Sequence, residues 1–285
     1  MNIFIAASDP AGISIGIGEI IVGAVITFSV VILAAWVVFY SGPAALAAAP
    51  PRGNRVPLFL PFLLLAGWIA LGLAASCLVE HLPAGLVATQ EEFVSYLAQT
   101  FVELVMAIVT VAAAVVFFPR GLKGFGLDVR TIPRDALPAV VNLLAVLPLV
   151  WLGVWAVDVI GKWLVGPAFE IRANEGLDVL TRNPEPLMRI LMLSFVLIVV
   201  PLFEEVLFRG MFQSTIRGYA RSAWLAILVT SVLFAAMHPW QHWLAIFMLS
   251  AGMGYAYERS GSLFRPIFIH ILFNTTNVLA ALLSN

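Results

Sequence analysis

Residues 17–40 read IGEIIVGAVITFSVVILAAWVVFY and carry a single charge, Glu19. A helix rises 1.5 Å per residue, so about 20 such residues cross the ~30 Å hydrocarbon core of a bilayer. Comparable apolar runs recur at 58–79, 93–118, 136–161, 189–212, 223–238, 241–257 and 264–283, which predicts about eight transmembrane helices. Backbone groups in lipid must be bonded within their own segment, and runs this long without strand-like alternation do that only as helices. The expected fold class is therefore all-α: a polytopic membrane protein with any polar site inside the bundle. A composition of 62% hydrophobic and 11% charged residues agrees with this class.

The same numbers exclude several functions. A net charge of −1 leaves no basic footprint for nucleic acid. One cysteine, Cys77, rules out an intrachain disulfide framework; it falls in a span and reads as a small buried hydrophobe rather than a nucleophile. Lysine and arginine concentrate in alternate connectors, at 52–55, 120–134, 209–221 and 259–265. By the positive-inside rule those connectors face the cytoplasm and both termini face outward. Among the others, 166–188 is mixed in charge and reads as a solvated link.

Ionisable residues inside spans are costly and face a partner or a wet cavity. Glu103, in FVELVMAIV, is accounted for by a span end or a helix–helix hydrogen bond, and Asp158 and Lys162 by an i,i+4 surface pair. FEEVLFRGM at 203–211 is different. Helical spacing stacks Glu205 and Arg209 on one face and turns Glu204 away from them. A buried ion pair is weak evidence for stability, because desolvation can exceed the Coulombic gain, so three charges kept together favour a functional site. Two further segments supply partners: Phe234 and His238 are four apart in LFAAMHPW, and His270 and Asn274 are four apart in FIHILFNTTN. A carboxylate, two imidazoles and an amide from three helices form a constellation that packing alone seldom requires.

In this order and spacing, EEVLFR (E-E-x-x-x-R), FAAMH (F-x-x-x-H) and HILFN (H-x-x-x-N) resemble the CAAX protease and bacteriocin-processing (CPBP, or Abi) family of intramembrane endopeptidases. The resemblance covers roughly 120–283. It divides the chain into N-terminal spans without a matching motif, 1–119, and a CPBP-like core, 120–285. It implies hydrolysis of a peptide bond in a membrane-associated protein or peptide within the bilayer. On that resemblance Glu204 and His238 activate the water, His270 and Asn274 stabilise the oxyanion, and Glu205 and Arg209 organise the site. Such chemistry needs no cofactor. A zinc site of Glu204, His238 and His270 around a bound water is the alternative, and Asn274 beside His270 favours the metal-free reading. A non-proteolytic scaffold or bacteriocin self-immunity protein is the competing function, and a secondary transporter is disfavoured because no inverted repeat is visible. The expected location is the cell membrane, multi-pass, with a bacterial plasma membrane as the default.

Overall fold

A computed structural model describes residues 17–40, 43–47, 49–50, 53–82, 91–171, 175–183 and 185–283. Arg52 and Arg172 lie outside them, as do parts of the 41–57 and 166–188 connectors. Among the described residues every regular element is a helix. The main ones are α1 (Ile17–Tyr40), α2 (Leu60–Glu80), α3 (Glu91–Phe117), α4 (Ile132–Val165), α5 (Glu175–Arg182), α6 (Pro186–Ala220), α7 (Ala223–Ala236), α8 (Trp243–Ser260) and α9 (Phe264–Leu283). Six of the described helices, α1, α2, α3, α4, α6 and α9, are long and apolar enough to cross a membrane, so the chain is an all-α polytopic membrane protein. The other two expected spans are helices as well, but shorter. α7 has 14 residues, about 21 Å, and α8 has 18, about 27 Å and ending in Glu258, Arg259 and Ser260. Pro239 and a 3₁₀ turn at Trp240–His242 join them.

The C-terminal half of α6 is the central element. Every residue from Glu205 to Thr215 is buried, and α2, α3, α7 and α8 pack around this stretch. Its apolar members, among them Val206, Leu207, Phe208, Met211 and Phe212, belong to the main core with Phe203 and Phe234. Gly210 is needed there, because a Cβ at that position would overlap the Phe125 ring. The sequence predicts a regular α-helix through this region, but α6 widens into π-helix at Phe195–Val199 and again at Val206–Gln213. Pro201 is one physical cause: it has no N–H to donate, so the turn before it cannot close with the normal bond. Cys77 also departs from expectation. It is exposed on the outer face of α2, where a membrane protein presents apolar groups to lipid.

Long-range hydrogen bonds gather the basic connectors at one end of the bundle. Arg55 N–H donates to Phe117 O at 2.8 Å and Leu263 N–H to Gly126 O at 2.9 Å. Asn54 Nδ2 donates to Ser214 O at 2.9 Å, and Tyr257 Oη donates to Phe125 O at 2.8 Å. Arg55, Arg120, Lys123, Arg130, Arg134, Arg217, Arg221, Arg259 and Arg265 consequently share that end. There the backbone N–H of Arg130 holds the Asp128 carboxyl below the usual carboxylate range. At the opposite end the Phe169 ring, after α4, packs on Trp240, after α7, at 5.8 Å.

Candidate active site

Glu204 and Glu205 end the six-residue α-helical piece Val200–Glu205, held between the two π-helical stretches of α6. π-Turns inside α-helices often mark functional sites, because the extra residue re-aims side chains. Glu205 and Arg209 are both fully buried and paired, with Arg209 Nη1 2.7 Å from Glu205 Oε1. Nε has no hydrogen-bond partner, while Nη2 and the face of the guanidinium are held from two helices. Nη2 donates to Ser250 Oγ of α8 at 2.8 Å and to Ser250 O at 3.2 Å, and the cation lies 4.5 Å above the Phe234 ring of α7. Ser250 is thus a clamp on Arg209.

Glu205 does more than neutralise Arg209. Its Oε1 also meets His270 Nδ1 at 3.0 Å, and since a carboxylate oxygen accepts, Nδ1 carries a proton. The other ring nitrogen, Nε2, then lies 3.7 Å from Glu204 Oε2. One imidazole stands between two carboxylates with distinct roles. Glu205 is held through Oε1 by Arg209 and His270, whereas no hydrogen bond reaches Glu204 among the described residues; the Oε2 atoms of both residues are buried without a hydrogen-bond partner. Glu204 keeps 13% of its side chain exposed, while Glu205 keeps none.

His238 comes in from the end of α7. Its Nδ1 is 2.9 Å from Phe234 O, so Nδ1 donates and Nε2 is the free base nitrogen of the neutral ring. The Phe234 ring contacts both imidazoles, at 4.9 Å from His238 and 6.1 Å from His270. No hydrogen bond or ion pair joins His238 to Glu204 or His270 among the described residues.

Asn274, one turn beyond His270 on α9, donates Nδ2 to Val196 O at 2.8 Å. The reason lies in the first π-stretch. There Val200 N–H bonds Phe195 O, so in the same register residue 201 would serve Val196 O; residue 201 is a proline. Asn274 supplies the hydrogen bond that Pro201 cannot. An amide has two N–H donors, and the second is left for another acceptor.

Glu103 is the residue whose place sequence inspection understates. It lies on α3, 4% exposed, with Oε2 lacking a partner, beside Gln99 and within electrostatic reach of Glu204. Its signal was present as the one acid in the middle of an otherwise apolar span. Metal ligation fares differently: among the described residues no group of three His, Cys, Asp or Glu side chains is arranged to hold a metal ion. The Glu204, His238 and His270 set therefore does not form a ligand cluster in this arrangement.

Residues 186–276 match the family described as type II CAAX prenyl endopeptidase Rce1-like. All six residues discussed from the motifs, Glu204, Glu205, Arg209, His238, His270 and Asn274, lie in the matched segment, which spans α6, α7, α8 and most of α9. Glu103 reaches it from outside, on α3. A protein of Escherichia coli, an uncharacterized 24.3 kDa protein, is 34% identical to this chain over 135 residues; the match covers 45% of this chain and 62% of that relative. No solved structure matches the chain.

Proposed function

We propose that the chain is an intramembrane endopeptidase that hydrolyses a peptide bond in a membrane-associated protein or peptide, with Glu204 as general base. The observation that carries this reading is the asymmetry of two adjacent carboxylates around His270: Glu205 is tied through Oε1 to Arg209 and His270, and neither oxygen of Glu204 receives a hydrogen bond among the described residues. A carboxylate kept in that condition is available to take a proton. The Rce1-like match over 186–276 supports the reaction class.

Glu204 accepts a proton from water, assisted by Nε2 of His238, and the hydroxide adds to the scissile carbonyl carbon. The resulting oxyanion receives hydrogen bonds from the second Asn274 N–H and from His270 Nε2–H, the ring acting as the doubly protonated imidazolium between the two carboxylates, donors of a kind worth about 10²- to 10³-fold in rate. Glu204 then returns its proton to the departing amine nitrogen as the C–N bond breaks. Glu205 and Arg209 act through His270, fixing its ring with Nδ1 protonated. A membrane-anchored peptide near its C-terminus is the substrate class, and the relative in Escherichia coli supports a bacterial plasma membrane as the location.

The test compares membrane-anchored peptides in cells carrying wild-type protein or Glu204→Gln. At least one species should shorten only with the wild type. Identical peptide profiles, with both proteins at equal abundance, would leave the scaffold reading in its place.

A further inference from the structure

A groove of about 530 Å³ runs between α1, α4 and α8, away from Glu204 and His270. This is within the range of small-molecule sites. One part of its wall is apolar: Ile32 and Trp36 from α1 and Val141 from α4. The other is polar, formed by Asn142, Arg259 and Arg265, and no carboxylate lines it. Arg265 is braced from behind by the buried Asp135, which meets Nη2 at 2.9 Å and Nε at 3.1 Å, so Nη1 is left for a further acceptor. Asn142 Oδ1 is buried without a partner. Arg259 ends α8 and Arg265 opens α9, either side of the Gly261 turn. Both therefore sit at the basic end of the bundle, where an acyl chain lying against α1 would bring its headgroup.

We propose that this groove binds one anionic glycerophospholipid, its phosphate on Arg259 and Arg265, its hydroxyl-bearing headgroup against Asn142 and an acyl chain along Ile32, Trp36 and Val141. Three features converge on that occupant: an apolar channel open towards lipid, two guanidiniums at one end of it, and an unpaired amide oxygen in the polar wall. Basic pockets between transmembrane helices at the cytoplasmic side are where anionic headgroups bind. The lipid joins α1 to the α8–α9 turn. Through α8 it reaches Ser250, the clamp on Arg209.

The experiment uses the full chain purified in detergent, titrated with dioleoyl phosphatidylglycerol, dioleoyl phosphatidylcholine or inorganic phosphate, and read by thermal unfolding and by native mass spectrometry. Phosphatidylglycerol should raise the unfolding midpoint and remain bound where phosphatidylcholine does not. Arg259→Gln should weaken phosphatidylglycerol binding about fivefold, as expected for one basic residue at a headgroup. Ala35→Trp places a large ring in the groove from an exposed position of α1 and should abolish binding without changing charge, which keeps the test available if Arg259→Gln does not fold. Equal binding of the two lipids, an unchanged affinity in Ala35→Trp, or full stabilisation by inorganic phosphate alone would each overturn the proposal.

Discussion

Replacing Asn274 by alanine separates a structural from a chemical use of the same amide. The side chain donates to Val196 O at 2.8 Å, a carbonyl that Pro201 leaves without its backbone donor. Losing such a bond costs about 1 kcal/mol, and leaving a carbonyl partly buried and unpaired brings the total to about 1 to 2 kcal/mol. In a Pro201→Ala background the cost should shrink to a few tenths of a kcal/mol. If the helix stays π, the backbone N–H restored by that substitution bonds Val196 O; if it relaxes to α, Val200 N–H does so. Either register removes the need for Asn274. The assay is a double-mutant cycle of unfolding free energies in detergent, where two coupled sites give a non-additive result. Catalysis should behave otherwise: if the second N–H holds the oxyanion, Asn274→Ala loses at least about 10²-fold in turnover in both backgrounds. Equal stability costs with and without Pro201 would mean that Asn274 does not stand in for the N–H that Pro201 lacks.

Other perturbations address the rest of the site. Arg209→Met strands Glu205 in the core and should cost about 3 to 5 kcal/mol, while the double variant Glu205→Gln/Arg209→Met should be less destabilised than Arg209→Met alone; thermal unfolding of the three proteins checks this. Gly210→Ala drives a methyl group into Phe125 and should cost about 1 to 3 kcal/mol by overpacking, with a matching fall in midpoint and no specific effect on the turnover of the folded fraction. His238→Ala should lower turnover about 10²-fold or more and leave the unfolding midpoint close to wild type, since its ring bonds only the carbonyl of its own helix.

Helical periodicity and hydrophobic run length made most of the fold legible. Six spans, the shorter α7–α8 pair and the gathering of alternate basic connectors at one end all follow from lipid exposure and chain length, which act locally. Spacing also anticipated the Glu205–Arg209 pair, because four residues bring side chains to one face in this helix even where it widens. What spacing could not reach was the third dimension. His270 bridging both glutamates, Ser250 clamping Arg209 and Glu103 approaching from α3 depend on which helices pack together, and no local pattern encodes that. Asn274 illustrates the limit well. Its type and position suggested an oxyanion donor, but its visible bond answers a defect made by a proline 73 residues earlier.

In the proposed reaction Glu204 is the general base and its neighbour Glu205 is not. The most direct measurement is turnover of a membrane-anchored peptide, identified from the cellular comparison, by purified wild-type and Glu204→Gln protein in vesicles, with unfolding midpoints recorded on the same preparations. Glu204→Gln should lose about 10²-fold or more in turnover while its midpoint stays near wild type, because Glu204 Oε2 accepts no hydrogen bond that the substitution would break. Turnover preserved within a few-fold in a folded Glu204→Gln protein would contradict it.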